Sequence, residues 1–334
     1  MKNEKLYQAC EKALPAYIAN WEKLVNVDCG SRNGKGINQV ADLLWKELEP
    51  LQPFSLEKIP MEDPQEGCHL LAVFKGKGKG KVMASAHLDT VFPEGTVAER
   101  PFRIEGDWAK GPGAADCKSG VNMMLFAMKQ LRDLHFEDFE QITLLFNGDE
   151  EIASPSSRKL IARLAPQHDC YLCCESGQEG DGLVRSRKGS NLLKLEVKGI
   201  ASHSGNAPEK GASALMEILY QIQQMKKLEA PDQGTTLNFT LLQAGERENI
   251  IPAHASAAAD LRVTDSREIQ RVRKAAEALA AQPSIPGTEV KVVLQEGNPP
   301  FSPNPGTDRL IQLAQEIYGE LGRKLVVRSV GGAS

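Results

Sequence analysis

Hydrophobic positions in the first half of the chain switch repeatedly between helical spacing and short continuous runs. Helical spacing of this kind indicates an amphipathic helix, whereas an apolar run of four to eight residues is typical of a buried strand. The alternation therefore predicts an α/β sheet with helices on its faces. In chain order, the predicted elements are a helix over 37–48, the strands CHLLAVF and VMASAH, a helix over 119–134, the strand QITLLFN, a helix over 156–164 and the strand CYLCCE.

Two glycine-containing segments predict hairpins within this part of the chain. The stretch KGKGKGK separates CHLLAVF from VMASAH, so we expect it to be the turn that pairs these two strands. The segment FRIEGDWAKG predicts a second and shorter hairpin.

The pattern changes from about residue 191. Its order of strand, helix, strand, strand, helix and strand is that of a ferredoxin-like unit. Because a helix and a strand of α/β character follow, this unit is predicted to be an insertion, with residues 190–298 as the inserted domain and 1–189 plus 299–334 as the first domain. The six elements are NLLKLEVKG, 212–228, TTLNFTLLQA, HASAAADLRV, 267–281 and EVKVVLQ, followed by 307–321 and KLVVRSV.

Composition narrows the class of protein. The formal net charge is -4, and no basic tract occurs beyond the short run Lys75–Lys81, so we expect a small-molecule ligand and neither nucleic acid nor a membrane as partner. The amino terminus lacks the apolar core of a secretory signal, which predicts a cytoplasmic location. Seven cysteines, an odd number, suit a reducing compartment. We expect those of the C-x-x-C spacing, Cys170 and Cys173, to be small buried strand residues.

His87 and Asp116 are the first candidates for chemistry. In ASAHLDT, His87 and Asp89 lie two residues apart at the end of a strand and so project to the same face. A metal-bound histidine usually donates its second ring proton to a carboxylate, which Asp89 could supply if the chain bends suitably. Asp116 lies in the glycine-rich segment GPGAADCKSG, directly before a helix. The alternatives are a surface histidine beside a capping aspartate, and Asp116 as a helix N-cap.

Further carboxylates follow the next two strands. QITLLFN leads into Asp149, Glu150 and Glu151, whose mutual repulsion requires a cation or a proton, and Glu175 follows CYLCC. A solvated acidic loop and a surface glutamate at a strand end are the alternative interpretations. Ligands bind outside the carboxyl ends of strands in open α/β sheets. One histidine with several acids there suits a pair of divalent ions about 3.5–4 Å apart.

Five segments together closely resemble a known family: ASAHLDTVFPEGT, GPGAADCKSG, LLFNGDEE, CCES and GIASHSGNAPEKGASA. It is the di-zinc metallopeptidase family of glutamate carboxypeptidases, acetylornithine deacetylases, succinyl-diaminopimelate desuccinylases and aminoacylases. The resemblance extends from about residue 15 to the end of the chain and looks closest to the bacterial glutamate carboxypeptidases. It implies a zinc-peptidase-type α/β catalytic domain with an inserted ferredoxin-like dimerisation domain, and hence a homodimer.

The resemblance also implies roles for individual residues. Asp116 corresponds to the ligand that bridges two Zn²⁺ ions, with a cis peptide bond after it, and Glu150 to the general base. Asp89 is grouped with Glu150 as a catalytic residue. The implied metal ligands are His87, Asp116, Glu151 and Glu175, with His87 and Glu175 on one zinc and Glu151 on the other.

Three residues of the inserted segment resemble the family's substrate-binding positions. His203 matches the histidine that reaches the partner subunit's active site in dimeric members, while Asn249 and Arg262 match positions that hold the substrate carboxylate. Arginine offers a two-pronged donor for such a group. His203 could otherwise be an exposed loop histidine, and Arg262 an ordinary charge at a strand end.

The implied reaction is zinc-dependent hydrolysis of an amide bond to a C-terminal amino acid, with glutamate expected and an N-acyl amino acid or peptide as substrate. Relatives continue beyond the GG-x-S/T segment and carry a second histidine ligand there, so we expect a C-terminally truncated chain with one incomplete zinc site. Two alternatives stay open. One is a catalytically impaired relative that retains only dimerisation or ligand binding, and the other is a single-metal deacetylase using His87, Asp116 and Glu175.

Overall fold

The computed structural model describes residues 4–177 and 180–332, and this chain divides into two units. One comprises residues 4–177 with 316–324, and the other residues 180–315 with 325–332. Up to residue 177 the elements are α1 (Glu4–Val25), α2 (Gly34–Leu48), β1 (Ser55–Pro60), β2 (Cys68–Lys75), β3 (Lys81–His87), α3 (Thr96–Glu99), β4 (Arg103–Glu105), β5 (Trp108–Lys110), α4 (Ser119–Asp133), β6 (Gln141–Asn147), α5 (Ser157–Leu164) and β7 (Cys170–Cys173).

The first unit is built on a five-stranded mixed sheet of order β1-β2-β6-β3-β7. β3 runs parallel to both β6 and β7, whereas β1 and β2 are antiparallel to their neighbours. The hairpin predicted between β2 and β3 is wrong, because β6 lies between these two strands and pairs with both. β6 is buried over most of its length, which explains why it occupies the centre of the sheet. The shorter hairpin, β4 with β5, is confirmed.

Side chains alternate between two hydrophobic cores on the two faces of this sheet. Leu70 and Phe146 point to the face covered by α2 and α4, where Leu44 and Leu125 are fully buried. Leu145, one residue before Phe146, points to the opposite face and joins the core beneath α5. Both faces are therefore covered by helices, which explains the continuous apolar runs of the strands.

The cysteines of the C-x-x-C segment are less buried than predicted. Cys173 is exposed and Cys170 is half-buried, because β7 is an edge strand of the sheet. All seven cysteines are free thiols.

From residue 180 the second part of the chain has a different architecture. Its four-stranded antiparallel sheet has the order β11-β13-β9-β14, which is the ferredoxin-like topology predicted from the order of elements. The elements are β8 (Gly182–Arg187), β9 (Gly189–Lys198), β10 (Ser202–His203), α6 (Ala214–Lys226), β11 (Thr236–Ala244), β12 (Ile250–Ile251), β13 (His254–Val263), α7 (Ser266–Ala280), β14 (Glu289–Asn298), α8 (Pro305–Glu320) and β15 (Val326–Val330).

Burial in the antiparallel sheet follows a period of two. Along β9, Leu193, Leu195 and Val197 are buried in the core that α6 and α7 share with the sheet, while Lys194 and Glu196 are exposed. One face of the sheet is therefore covered by helices and the other is open. Among the described residues, no helix combines the length and apolar character needed to cross a membrane.

The alternation in β9 predicts how stability responds to substitution on each face. Leu195→Ala removes a fully buried side chain between the sheet and its helices, and should lower the free energy of unfolding by about 2–5 kcal/mol. Glu196→Ala is the matched control on the open face, with an expected change within about 0.5 kcal/mol. Urea unfolding followed by circular dichroism measures both; equal losses would contradict the assigned faces.

Candidate metal centre

Three neighbouring strands deliver the predicted site residues to one edge of the first sheet. His87 is the last residue of β3, Glu150 follows β6, and Glu175 follows β7. Because β6, β3 and β7 are parallel neighbours, their carboxyl ends lie side by side. The candidate residues of three separate segments therefore converge, as expected for an α/β sheet.

His87 is the centre of this convergence and is 1% exposed. Its Nδ1 lies 3.0 Å from the main-chain oxygen of Asp89 and donates to it. Its Nε2 faces two carboxylates, 2.9 Å from Asp116 Oδ1 and 3.5 Å from Glu175 Oε2. With Nδ1 used as a donor, Nε2 is the ring nitrogen that a cation could bind in place of a proton.

His87 belongs to two groups of three possible ligands. In one group it is joined by Asp116 and Glu151, and in the other by Cys117 and Glu175; within each group the donor atoms lie within 4.8 Å of one another. The peptide bond between Asp116 and Cys117 is cis, as the resemblance predicted. Nitrogen, oxygen and sulfur donors at this density suit Zn²⁺ or a similar divalent ion.

The electrostatics of the cluster also indicate a cation. Burial raises the pKa of Glu150 to about 7, and repulsion from Glu175, Glu151 and Asp89 adds to the effect. Burial and nearby carboxylates likewise raise the pKa of Glu151. Burial alone would lower the pKa of His87, but the surrounding carboxylates raise it far above its usual value. The raised pKa values mean that protons are favoured on these groups. A divalent cation could balance the same negative charge instead of those protons, so the residues fit a metal.

Asp89 lies behind the cluster and is fully buried. Its carboxylate accepts hydrogen bonds from Ser31 Oγ at 2.7 Å and from the main-chain N–H groups of Glu150 and Glu151 at 3.0 and 3.1 Å. Its Oδ1 is 3.4 Å from His87 Nδ1, so the shorter contact to the ring comes from the main-chain oxygen of Asp89. Asp89 therefore links the histidine strand to the acidic loop.

The three consecutive acids after β6 have different environments. Asp149 is 1% exposed and accepts hydrogen bonds from the main-chain N–H groups of Ser156 and Ser157, at 2.8 and 2.9 Å. It thereby holds the beginning of α5, whereas Glu150 and Glu151 are half-buried at the cluster. Asp149 is a structural residue of this loop.

Sequence reasoning missed two buried polar residues near the site. Lys118 is completely buried, donates to the main-chain oxygen of Leu88, and lies 3.0 Å from Cys29 Sγ. It ties the turn that follows Asp116 to the segment between His87 and Asp89. His69 lies within the apolar run of β2 and bonds to the acidic loop. In the sequence, these two residues stand out only as a lysine in a glycine-rich loop and a histidine in an apolar run.

The three predicted substrate-binding residues lie in the second unit. His203 and Asn249 are close together, since β10 pairs with β12 and Ser204 N donates to Asn249 O at 3.0 Å. Arg262 lies near the end of β13, where it pairs with Thr236 and Ser190, while His254 at the other end pairs with Lys198. The Nε of Arg262 donates to Asp260 at 2.9 Å. The structure thus brings His203 and Asn249 together without Arg262.

Comparison with known proteins places this chain in a family. A model of peptidase family M20/M25/M40 matches residues 83–334. The chain is 34% identical over 334 residues to carboxypeptidase G2 of Pseudomonas sp. (strain RS-16), covering 99% of this chain and 80% of that one.

Solved structures agree on the fold. The aminopeptidase PepT from Bacillus cereus superposes with a TM-score of 0.80 at 21% identity, over 95% of this chain and 85% of that one. The Bacillus subtilis YXEP protein, described as a dinuclear metal binding peptidase from the M20 family, has a TM-score of 0.65 at 16% identity, over 96% and 83%. The chain therefore belongs to peptidase family M20/M25/M40, and is a metallohydrolase of that family.

Proposed function

We propose that this protein is a zinc-dependent hydrolase that cleaves the amide bond to a C-terminal amino acid, with glutamate as the amino acid released. The observation that carries the proposal is the convergence of His87 Nε2 with the carboxylates of Asp116 and Glu175. Similarity to carboxypeptidase G2 over nearly the whole chain supports the reaction class. The specificity for glutamate rests on the sequence resemblance, and the substrate is a small N-acyl amino acid or peptide.

Two Zn²⁺ ions per subunit are proposed, with Asp116 as the ligand that both share. His87 and Glu175 would complete one ion's protein ligands, and Glu151 would bind the other. When bound, zinc supplies a lowered pKa for water and polarisation of the scissile carbonyl. A dinuclear metal-binding peptidase among the structural neighbours supports two ions.

Glu150 is proposed as the general base. It is half-buried beside the ligands, and its pKa of about 7 suits a group that both accepts and returns a proton near neutral pH. Its carboxylate takes a proton from the attacking water and passes it to the nitrogen of the departing amine. Asp89 supports this role because it bonds the main-chain N–H of Glu150.

The second unit is proposed to bind substrate and a second subunit. We assign His203, Asn249 and Arg262 to the substrate carboxylate and the developing charge, residues 190–298 to an inserted dimerisation domain, and 1–189 with 299–334 to the catalytic domain. We also propose that the protein is a homodimer and that it is located in the cytoplasm. The alternative of a catalytically impaired relative is not favoured by the comparisons.

Substitution of adjacent glutamates separates a base from a ligand. Glu150→Gln should nearly abolish kcat and leave zinc content at the wild-type level, because it removes the proton acceptor and keeps the ligands. Glu151→Gln should lower zinc content as well as kcat. Mass spectrometry under native conditions and hydrolysis of N-acyl-glutamates measure both quantities. Full activity in the Glu151 variant would favour the single-metal alternative, and full activity in the Glu150 variant would remove its assigned role.

Substitution of Asp89 tests the connection between the histidine strand and the acidic loop. Asp89→Asn replaces an acceptor by an amide that must face N–H groups, and we expect zinc affinity or kcat to fall by about 10–100-fold, as for other groups that orient metal ligands. Ser31→Ala removes one of the bonds to Asp89 and should have a smaller effect. Chelator competition and steady-state kinetics compare them. A larger effect at Ser31 than at Asp89 would contradict this role.

Arg262 tests the proposed substrate class. Arg262→Gln removes a fixed charge that can bind a carboxylate, so KM for an N-acyl-glutamate should rise by about tenfold with little change in kcat. Arg267→Gln is the control, because Arg267 is an exposed arginine at the start of α7. Steady-state kinetics measure KM and kcat for both variants. An unchanged KM in the Arg262 variant would exclude Arg262 from carboxylate binding.

A further inference from the structure

The loop that carries Glu150 and Glu151 has an unfavourable backbone conformation. Ala153 and Ser154 both have positive φ angles, 68° and 53°. Non-glycine residues in this left-handed region cost free energy and persist where the surrounding structure fixes them. Contacts outside the loop must therefore maintain its shape.

His69 makes contacts of this kind from behind the loop. It is 1% exposed, and its Nδ1 accepts a hydrogen bond from Gly148 N at 3.2 Å. Its Nε2 lies 3.1 Å from Ser156 Oγ. Because a main-chain N–H can only donate, Nδ1 is the acceptor and the ring proton is on Nε2. One imidazole thus binds both ends of the loop.

The position bonded by His69 is also closely packed. A Cβ atom placed on Gly148 would lie 2.4 Å from Met61 Cε, 2.8 Å from Ile37 Cγ2 and 3.0 Å from the main-chain oxygen of Cys68, so a side chain here would force its neighbours to move. From this closely packed segment the main-chain N–H of Gly148 donates to His69 Nδ1.

Other polar groups hold different parts of the same loop. Asp149 bonds the N–H groups of Ser156 and Ser157, and Asp89 bonds those of Glu150 and Glu151. His69 is the group that reaches Gly148, two residues before Glu150. A shift at Gly148 would therefore be transmitted directly to the two glutamates.

We infer that His69 is a positioning residue for the hydrolytic site: its bond to Gly148 sets where Glu150 and Glu151 lie. This inference rests on the proposed function, because those glutamates are assigned there as base and ligand. It gives the buried histidine of β2 a role that is independent of metal binding by its own ring, since both ring nitrogens are already bonded within the protein.

A pair of substitutions of equal shape tests the inference. Asn has an oxygen at the branch position of Nδ1 and can accept from Gly148, whereas Leu has the same branching without a polar atom. His168 provides a matched control in the same unit, since it is half-buried and both of its ring nitrogens are also bonded, Nε2 to Thr143 Oγ1 at 2.8 Å and to Gln141 Nε2 at 3.1 Å, and Nδ1 to Leu164 O at 2.9 Å. The variants are therefore H69L, H69N, H168L and H168N.

Zinc affinity by chelator competition and kcat on an N-acyl-glutamate are the main measurements. We expect H69L to lose about tenfold or more in one or both, and H69N to recover most of that loss. H168L and H168N should have the same zinc affinity and the same kcat as each other. Equal values for H69L and H69N, or the same pattern at His168, would overturn the inference. If H69L does not fold, H69M replaces it, because methionine is also apolar and offers no strong acceptor to the N–H of Gly148.

Hydrogen exchange keeps this test separate from the proposed function. Faster exchange across residues 148–157 in H69L but not in H69N supports the inference without any metal or substrate, and identical exchange in the two variants overturns it. A wild-type protein that binds no zinc and hydrolyses no N-acyl-glutamate would refute the proposed function, and the exchange data would still show whether His69 fixes the loop.

Discussion

Repulsion among carboxylates gathered around one buried imidazole is the constraint on which this site depends. Asp116 and Glu175 face His87 Nε2, while burial and mutual repulsion raise the pKa values of Glu150 and Glu151. An arrangement of this kind is unfavourable unless positive charge is supplied. A divalent cation would supply that charge, and the donor atoms of His87, Asp116 and Glu175 already lie close enough together to bind one.

The fold meets this constraint in two ways. Parallel neighbours β6, β3 and β7 bring their carboxyl ends to one edge, so residues distant in the chain converge. Behind that edge, buried polar groups bond main-chain atoms and hold the segments in register. Asp89 links the histidine strand to the acidic loop, Lys118 links the Asp116 turn to Leu88, and His69 and Asp149 bond further main-chain groups of the acidic loop. The segments that carry the proposed ligands are therefore held by bonds to other residues.

The sequence predicted the strands and helices well where the pattern was local and periodic. The apolar runs became the central strands, and the order of elements after residue 190 became the ferredoxin-like sheet. The pairing of β2 with β3 was wrong, because strand pairing depends on distant segments, and β6 occupies the position between them. The short separation of β2 and β3 along the chain could not show that β6 would pair with both of them.

The candidate site was also predictable in part. His87, Asp116, Glu150, Glu151 and Glu175 could be found because acids and a histidine at strand ends are chemically conspicuous. His69 and Lys118 were missed, because their sequence positions are unusual only as residue types, whereas their importance comes from the main-chain atoms that they bond. The separation of Arg262 from His203 and Asn249 likewise depends on strand register across the second sheet.

Anomalous diffraction at the zinc absorption edge, from crystals of this protein grown with zinc, tests directly whether two ions bind at these side chains. Two peaks are expected, one beside His87 and Glu175 and one beside Glu151, with Asp116 between them. Zinc peaks found elsewhere, with none at these side chains, would contradict this expectation.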